Sequence, residues 1–232
     1  MRSLFWLVAA GGQLLPMALA QTHVRGWGFH RFDTRVAQSQ PVQIEVDDQV
    51  TIVRDQSGVL YQNGLSIVSN LSAPDLPAGL RYLDVAAARV SVALVSDGSL
   101  RQWGSYSASG GQAYPLPTIP AGLRCQAIGS GDTFSAVLLS DGSIITWGKN
   151  SVGQLAVPVL PTGLTYESMC LGAGHGLAVV SDGTARSWGV NNYGQRNVPP
   201  LPPGVVWIKM EAGRLHSLGL RSDGSVVAWG LN

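Results

Sequence analysis

The sequence has few charged residues. They make up 12% of its 232 residues, and 15 lysines and arginines nearly cancel 14 aspartates and glutamates. A nucleic-acid-binding protein needs a basic surface to neutralise phosphates, so a net charge of +1 argues against a nucleic-acid partner. The sequence also lacks a nucleophile beside a base, a cluster of metal ligands and a phosphate-binding loop. We therefore expect no enzyme activity, no cofactor and no metal.

A sustained helical period is also missing, which excludes solenoids built from helix pairs. Turn-forming residues are abundant instead, with 29 glycines and 13 prolines. Glycine and proline between short apolar runs are typical of a turn-rich β protein.

The first twenty residues predict a signal peptide. Met1-Arg2 forms a short basic region, Leu4 to Ala10 is apolar, and Ala18-Leu19-Ala20 fits an A-x-A cleavage site. A membrane anchor is the alternative, but Gly11-Gly12-Gln13 interrupts the apolar stretch, which is short for a span. We expect cleavage after residue 20, no membrane span afterwards, and a secreted, periplasmic or cell-surface protein.

A Ser-Asp-Gly triplet followed by a Trp-Gly pair occurs four times, and each tryptophan lies six residues beyond its aspartate. The units recur 44, 41 and 41 residues apart, a period typical of propellers and other repeat architectures. Asp-Gly between two short apolar runs predicts a hairpin, with both residues at the centre of a type I′ turn. We interpret the repeated residues as structural. They are Asp97, Gly98, Trp103, Asp141, Gly142, Trp147, Asp182, Gly183, Trp188, Asp223, Gly224 and Trp229.

A unit of about 41 residues has room for three or four strands, the size of one propeller blade. The sequence therefore predicts an all-β fold, a β-propeller of five to six blades or an incomplete, open ring. Residues 65–232 carry four regular repeats, and residues 21–64 form one domain with them as a degenerate repeat segment. Within that segment, His23 to Gly28 is similar to a lone Trp-Gly strand. A ring closed by this strand, an open crescent and a fragment of a longer gene are the three alternatives.

Several motifs recur together in a fixed order: G-x-x-H or G-x-x-F, an apolar strand, S-D-G, W-G, N-x-x-G-Q, V-P and L-P-x-G. This order resembles the repeat of the regulator of chromosome condensation superfamily, over about residues 65 to 232. The secreted bacterial branch, which includes β-lactamase inhibitory protein II, looks closest. The resemblance implies a propeller that acts as a protein-binding platform without chemistry of its own.

The two cysteines, Cys125 and Cys170, lie at places in neighbouring repeats that differ by four residues. Four residues along a strand span roughly 13 Å, too far for a disulfide between strands in register. We expect two buried thiols.

Two histidines share one position of the repeat. His175 and His216 lie where the preceding units have Phe134 and Val90. Because apolar residues replace them, we interpret the position as a packing position and not as a metal ligand.

Candidate binding residues fall into two groups. Tyr82, Tyr166 and Trp207 all lie three residues after the glycine of an L-P-x-G motif, where either an interface role or inner-channel packing would suit them. The second group lies in or near the loops that follow the Trp-Gly pairs, where a rigid scaffold would present side chains to a partner. Its members are Tyr106, Tyr114 and Tyr193. We expect the partner to be another protein, with a glycan as the alternative.

Overall fold

Fifteen β-strands form five antiparallel sheets in the computed structural model, which describes residues 40–46, 50–64, 72–104 and 114–231. Each sheet contains three strands that are consecutive in the chain, and we number the sheets as blades 1 to 5. The strands are β1 (Pro41–Val46), β2 (Val50–Asp55) and β3 (Leu60–Gly64) in blade 1; β4 (Tyr82–Ala86), β5 (Val90–Val95) and β6 (Leu100–Gly104) in blade 2; β7 (Cys125–Ser130), β8 (Phe134–Leu139) and β9 (Ile144–Gly148) in blade 3; β10 (Tyr166–Leu171), β11 (His175–Val180) and β12 (Ala185–Gly189) in blade 4; and β13 (Trp207–Ala212), β14 (His216–Arg221) and β15 (Val226–Gly230) in blade 5.

The described part of the chain has strands and turns but no helix. This confirms the predicted all-β fold, a β-propeller built from repeats of about 41 residues. It follows that no helix within the described ranges could cross a membrane. The predicted signal peptide and the strand-like segment from His23 to Gly28 lie outside the described residues.

The core lies between the blades. All six residues of β8 and of β11 are buried, because each middle strand has a neighbouring blade on both sides. This explains why the middle strands are continuous apolar runs and do not alternate with polar residues. Alternate residues of β8 face opposite neighbours, so Phe134 and Leu138 pack with blade 4 while Val137 and Leu139 pack with blade 2.

The first strand of each blade lies on the inner side of the ring. Strand β4 contacts β7, β7 contacts β10, and β10 contacts β13. The third strand pairs with the middle strand of its own blade and lies on the outer side.

The Ser-Asp-Gly hairpins are not the predicted type I′ turns. Gly98 N donates to Val95 O at 2.9 Å, so the two central residues of the turn are Ser96 and Asp97. Gly98 follows the turn with a φ of 84°, which corresponds to the longer hairpin loop that ends in a left-handed glycine. The same hydrogen bond closes the other three Ser-Asp-Gly turns, to Leu139, Val180 and Arg221.

The aspartate of each turn holds the loop closed. Asp97 Oδ1 accepts hydrogen bonds from Ser99 Oγ at 2.6 Å and from Ser99 N at 2.9 Å. Both bonds favour the ionised carboxylate, so they lower the pKa of Asp97. The side-chain bonds recur between Asp141 and Ser143 and between Asp182 and Thr184, which gives these aspartates a structural role.

Both cysteines are free and partly buried. Burial raises the pKa of the Cys125 thiol to about 11 and that of Cys170 well above its usual range. Neither is therefore a reactive thiolate near neutral pH.

Candidate protein-interaction face

Two kinds of loop lie on one face of the ring. In every blade the first and third strands end at the same edge, since both run antiparallel to the middle strand. The turn after the first strand therefore lies beside the loop after the Trp-Gly pair, and backbone hydrogen bonds join them. Lys149 N donates to Thr133 O at 2.8 Å, and Val190 N donates to Gly174 O at 2.8 Å. We call this surface of blades 3 to 5 the loop face; it comprises residues 131–133, 149–156, 172–174, 190–197 and 213–215.

Side-chain amides hold the two longer loops of this face in one conformation. In blade 3, the Gln154 side chain accepts from Val152 N at 2.9 Å and Asn150 accepts from Leu155 N at 3.1 Å. In blade 4, Gln195 accepts from Tyr193 N at 2.9 Å and Asn191 accepts from Arg196 N at 2.9 Å. The two loops are thus copies of one structure, and their asparagines have the structural role of turn residues.

These rigid loops present an apolar side chain at equivalent positions. Val152 is 51% exposed and Tyr193 is 49% exposed, each at the centre of its loop. Two exposed cations, Lys149 and Arg214, belong to the same face. The Arg214 guanidinium lies 3.8 Å from the carboxylate of Asp132, which connects the turns of blades 3 and 5. The face therefore combines apolar anchors with a net positive charge.

The two predicted groups of binding residues differ in exposure. Tyr193 and Tyr114 are exposed, at 49% and 42%, as a binding role requires. Gln102, on the outer strand β6, donates to the carbonyl of Tyr114, so Tyr114 lies against the outer side of blade 2. Tyr106 lies outside the described residues.

The inner-strand group does not form a surface. Tyr82, Tyr166 and Trp207 are 6%, 6% and 3% exposed, and each belongs to a core between blades. The Tyr166 hydroxyl donates to Pro158 O at 2.6 Å, while Arg221 stacks 5.0 Å from the centre of the Trp207 ring. Of the two roles that the sequence left open for these residues, their burial between neighbouring blades favours packing over contact with a partner.

The repeated tryptophans pack between blades and tie their outer strands together. Trp103 Nε1 donates to Gln62 of blade 1 at 3.0 Å, and Trp147 Nε1 donates to Gln102 of blade 2 at 3.1 Å. Trp188 is 1% exposed, and its Nε1 is buried without a hydrogen-bond partner. These positions agree with the blade-core role expected for the Trp-Gly motif.

A polar cluster on the inner strands was not predicted. Gln43 Nε2 lies 2.7 Å from Asp84 Oδ1 and 3.2 Å from Glu45 Oε1, while Gln43 Oε1 accepts from Arg54. Gln43 and Asp84 are 41 residues apart, one repeat period, which places them at equivalent positions of neighbouring blades. The residues 41–46 lack a repeat motif, so only the fold brings the cluster together.

Within the described ranges, no group of three or more histidines, cysteines, aspartates or glutamates is arranged to hold a metal. The predicted packing role of His175 agrees with its complete burial, and His216 is exposed.

The sequence repeats match a known family model. The regulator of chromosome condensation (RCC1) repeat matches residues 125–154, 167–195 and 207–232, which correspond to blades 3, 4 and 5. These three segments of the chain are similar to RCC1 repeats. No curated protein sequence matches it significantly along its length.

Several solved structures are similar to this chain at the level of the fold. Prp20, the yeast RCC1, solved bound to Kap60, is similar with a TM-score of 0.69 and 21% identity, over 82% of this chain and 56% of Prp20. A second structure of Prp20p from Saccharomyces cerevisiae, a protein with binding properties to Gsp1p and histones, gives a TM-score of 0.69 at 22% identity, over 82% and 57%. The ectodomain of the receptor kinase CR4 from Physcomitrella patens gives 0.63 at 19% identity, over 84% and 53%. This chain therefore spans slightly more than half the length of these proteins.

Proposed function

We propose that this protein is an exported, non-enzymatic platform that binds another protein through its loop face. The observation that carries the proposal is the pair formed by Val152 and Tyr193. Both are half exposed at equivalent positions of two rigid loops. Preformed loops with an aromatic and an aliphatic anchor lose little conformational entropy on binding, which favours protein recognition.

The charge of the loop face indicates the kind of protein surface it would bind. Lys149 and Arg214 are exposed on the same face as the two anchors, and the side chain of Asp132 is mostly buried, at 16% exposure. A partner with carboxylates around an apolar patch would complement this arrangement. Prp20, which has the same fold, binds other proteins, and this supports the same class of function here.

The alternative is a carbohydrate-binding propeller. Binding of sugars commonly uses free amide groups beside an aromatic ring. On this loop face the side-chain oxygens of Asn150, Gln154, Asn191 and Gln195 already accept hydrogen bonds from their own loops. The protein platform is therefore the better supported of the two.

Aspartate substitutions at two exposed valines, one on the loop face and one outside it, test the proposed binding surface. The chain would be used as bait against the secreted proteins of its source, and each captured protein would be purified and titrated. Val152→Asp and Tyr193→Ala should each weaken binding of a true partner at least about tenfold, the effect of losing a moderate hot spot. Val159→Asp is the control, because Val159 is 95% exposed and lies outside the loop face.

Equal binding by the Val152→Asp and Val159→Asp variants would overturn the assignment of the face. Saturable binding on a glycan array, lost in Tyr193→Ala, would favour the carbohydrate alternative. Export is tested separately: the first residue of the mature protein, read by N-terminal sequencing, should be Gln21.

A further inference from the structure

A groove lies between the hairpin turn of blade 1 and the segment that leads into blade 2. Its volume is about 270 Å³. Its apolar part is formed by Leu60, Leu76 and Leu80, which are partly buried in the core between the two blades. The hairpin turn joins the second and third strands, so the groove lies at the edge of the blades opposite to the loop face.

Ala73 is the short side chain that leaves this groove open. The Tyr82 hydroxyl donates to the carbonyl of Pro74 at 2.5 Å, and the equivalent bond from Tyr166 to Pro158 is 2.6 Å long. Ala73 directly precedes the first of these prolines, so its equivalents are the residues before the same proline in the other blades. They are aliphatic and larger, namely Leu116, Val157 and Val198. We call this site the Ala73 groove.

The larger aliphatic side chain packs with the third strand of the preceding blade. Val157 belongs to one cluster with Ile144, the first residue of β9. Leu60 is the equivalent of Ile144, since it begins β3 and pairs with the same position of the middle strand. Ala73 is too short to replace Val157, so the groove beside Leu60 has room for an aliphatic side chain that blade 2 does not supply.

The hairpin turn of blade 1 departs from the repeat at the same groove. Val59 lines the groove and is 49% exposed. Its backbone bond with Asp55 N identifies its equivalents in blades 2 to 5, which all carry a hydroxyl: Ser99, Ser143, Thr184 and Ser225. The turn stays closed in blade 1, because Asp55 Oδ1 accepts from Ser57 Oγ at 2.6 Å and from Val59 N at 2.9 Å. Both departures from the repeat therefore favour an aliphatic ligand at one place.

Two exposed charges of opposite sign border the apolar part of the groove. Asp75 follows Pro74 and Arg81 precedes Tyr82, and both charged residues line the groove. A complementary surface carries a base and an acid on either side of its aliphatic group. Consecutive residues of a protein segment can supply these three groups.

We propose that the Ala73 groove is a second docking site, which takes one leucine, isoleucine or valine side chain of a partner protein, flanked by a basic and an acidic residue. The site goes beyond the proposed function, because it lies in blades 1 and 2 and on the opposite edge from the loop face. The observation that carries it is the placement of Ala73 and Val59 on the two sides of one groove.

Short peptides test the site in the full chain. Acetylated and amidated Lys-Leu-Glu and Glu-Leu-Lys would be titrated by NMR, with the amide shifts of Val59 and Leu60 as the readout. At least one of them should bind at least about tenfold more tightly than the same peptide with serine in place of leucine. The tighter of the two orders gives the direction of the bound segment.

Filling the groove from within should block the peptide. Ala73→Leu reproduces Leu116 of the next repeat, and it should weaken binding of the leucine peptide at least about tenfold. Ala73→Val, which reproduces Val157, should act in the same direction and is the milder change. Ala121→Leu is the matched control, because Ala121 is exposed on the Pro-Ala-Gly turn before blade 3.

Three results would overturn the proposal. They are equal binding of the leucine and serine peptides, undiminished binding to both Ala73 variants, and no shift of Val59 or Leu60 with any peptide up to about 10 mM. Val152→Asp, on the loop face, should leave peptide binding unchanged. Failure of this site is therefore distinguishable from failure of the proposed function.

Discussion

His175 and Ser217 form a buried hydrogen-bonded pair across the interface between blades 4 and 5. His175 Nε2 lies 3.0 Å from Ser217 Oγ, and both residues are 0% exposed. Ser217 uses its single hydroxyl proton to donate to Gln195 O at 2.8 Å. Its oxygen must therefore accept from His175, which places the proton of the neutral imidazole on Nε2.

This pair predicts an acid-sensitive step in stability. Burial lowers the pKa of His175 from 6.5 to about 4, so the unfolded chain takes up a proton that the folded chain refuses. Stability should therefore fall as the pH drops from about 6.5 to about 4. His175→Phe should remove this part of the pH dependence, since Phe134 fills the equivalent position in blade 3. Urea unfolding at pH 7.0, 5.5 and 4.5 measures this loss of stability, which should approach about 2.3RT per pH unit below pH 6.5.

His216→Phe is the comparison variant, because the charge of His216 contributes to the lowered pKa of His175 but burial is the larger cause. That variant should reduce the pH dependence less than His175→Phe does. An unchanged slope in His175→Phe would contradict the assignment of the acid sensitivity to this interface.

Two glycines at the same position of the hairpin turn predict unequal costs of substitution. Gly183 and Gly224 have φ values of 76° and 83°, so alanine costs about 1–2 kcal/mol at either site. A Cβ at Gly183 would also lie 2.5 Å from Val206 of the next blade, whereas a Cβ at Gly224 would meet nothing within 4 Å. Gly183→Ala should therefore lower the free energy of unfolding by at least about 1 kcal/mol more than Gly224→Ala. Equal losses by chemical denaturation would show that the turn does not pack on the next blade as described.

The unpaired indole of Trp188 predicts a stabilising substitution. Trp103 and Trp147 donate to Gln62 and Gln102 on the outer strand of the preceding blade, and Thr146 occupies that position before Trp188. Thr146→Gln should supply the missing acceptor and raise the free energy of unfolding by about 1 kcal/mol.

Gln102→Leu is the reverse experiment for the same position. It removes the acceptor of Trp147 Nε1 and should cost about 1–3 kcal/mol. Thermal unfolding of both variants measures the pair of effects. A loss of stability in Thr146→Gln similar to that in Gln102→Leu would contradict this account.

The inner polar cluster predicts a loss of stability as the pH rises from about 4.5 to about 7. Burial raises the pKa of Glu45 from 4.5 to about 7, with the charges of Asp84 and Glu211 adding to the effect and Lys209 opposing it. Ionisation of Glu45 therefore destabilises the fold increasingly as the pH rises from about 4.5 to about 7.

Glu45→Gln keeps the shape and the acceptor for Gln43 but removes the charge. It should stabilise the protein by at least about 1 kcal/mol at pH 8 and have little effect at pH 4.5. Glu167→Gln, at an exposed position of β10, is the control. Stabilisation that is the same at both pH values would show that the charge of Glu45 is not responsible.

The hairpins and the repeat could be predicted because their causes are local. A left-handed glycine and an aspartate that caps its own turn need only the residues Asp182, Gly183 and Thr184 to form the loop. The spacing of about 41 residues then implies equivalent units, and large apolar residues in each unit must pack on equivalent neighbours. The position of Tyr193 in an exposed loop could also be predicted, because Tyr193 follows the Trp-Gly pair of a regular unit.

The details of register and contact could not be predicted in the same way. The central residues of the hairpin turn depend on which backbone groups pair, and one residue of shift changes the turn type without changing the Asp-Gly signal. The sequence is equally compatible with two roles for Tyr82, Tyr166 and Trp207, as surface anchors for a partner or as packing residues. Only the neighbouring inner strands show that they are buried.

His175 and His216 show most clearly where sequence and tertiary structure divide. The sequence by itself determined that both begin a middle strand after the same G-x-x-H motif, because that pattern is encoded within each repeat. Only the tertiary structure decided that His175 is buried and His216 exposed. The physical reason is that burial in a propeller comes from a separate blade, whose presence and position no pattern within one repeat encodes.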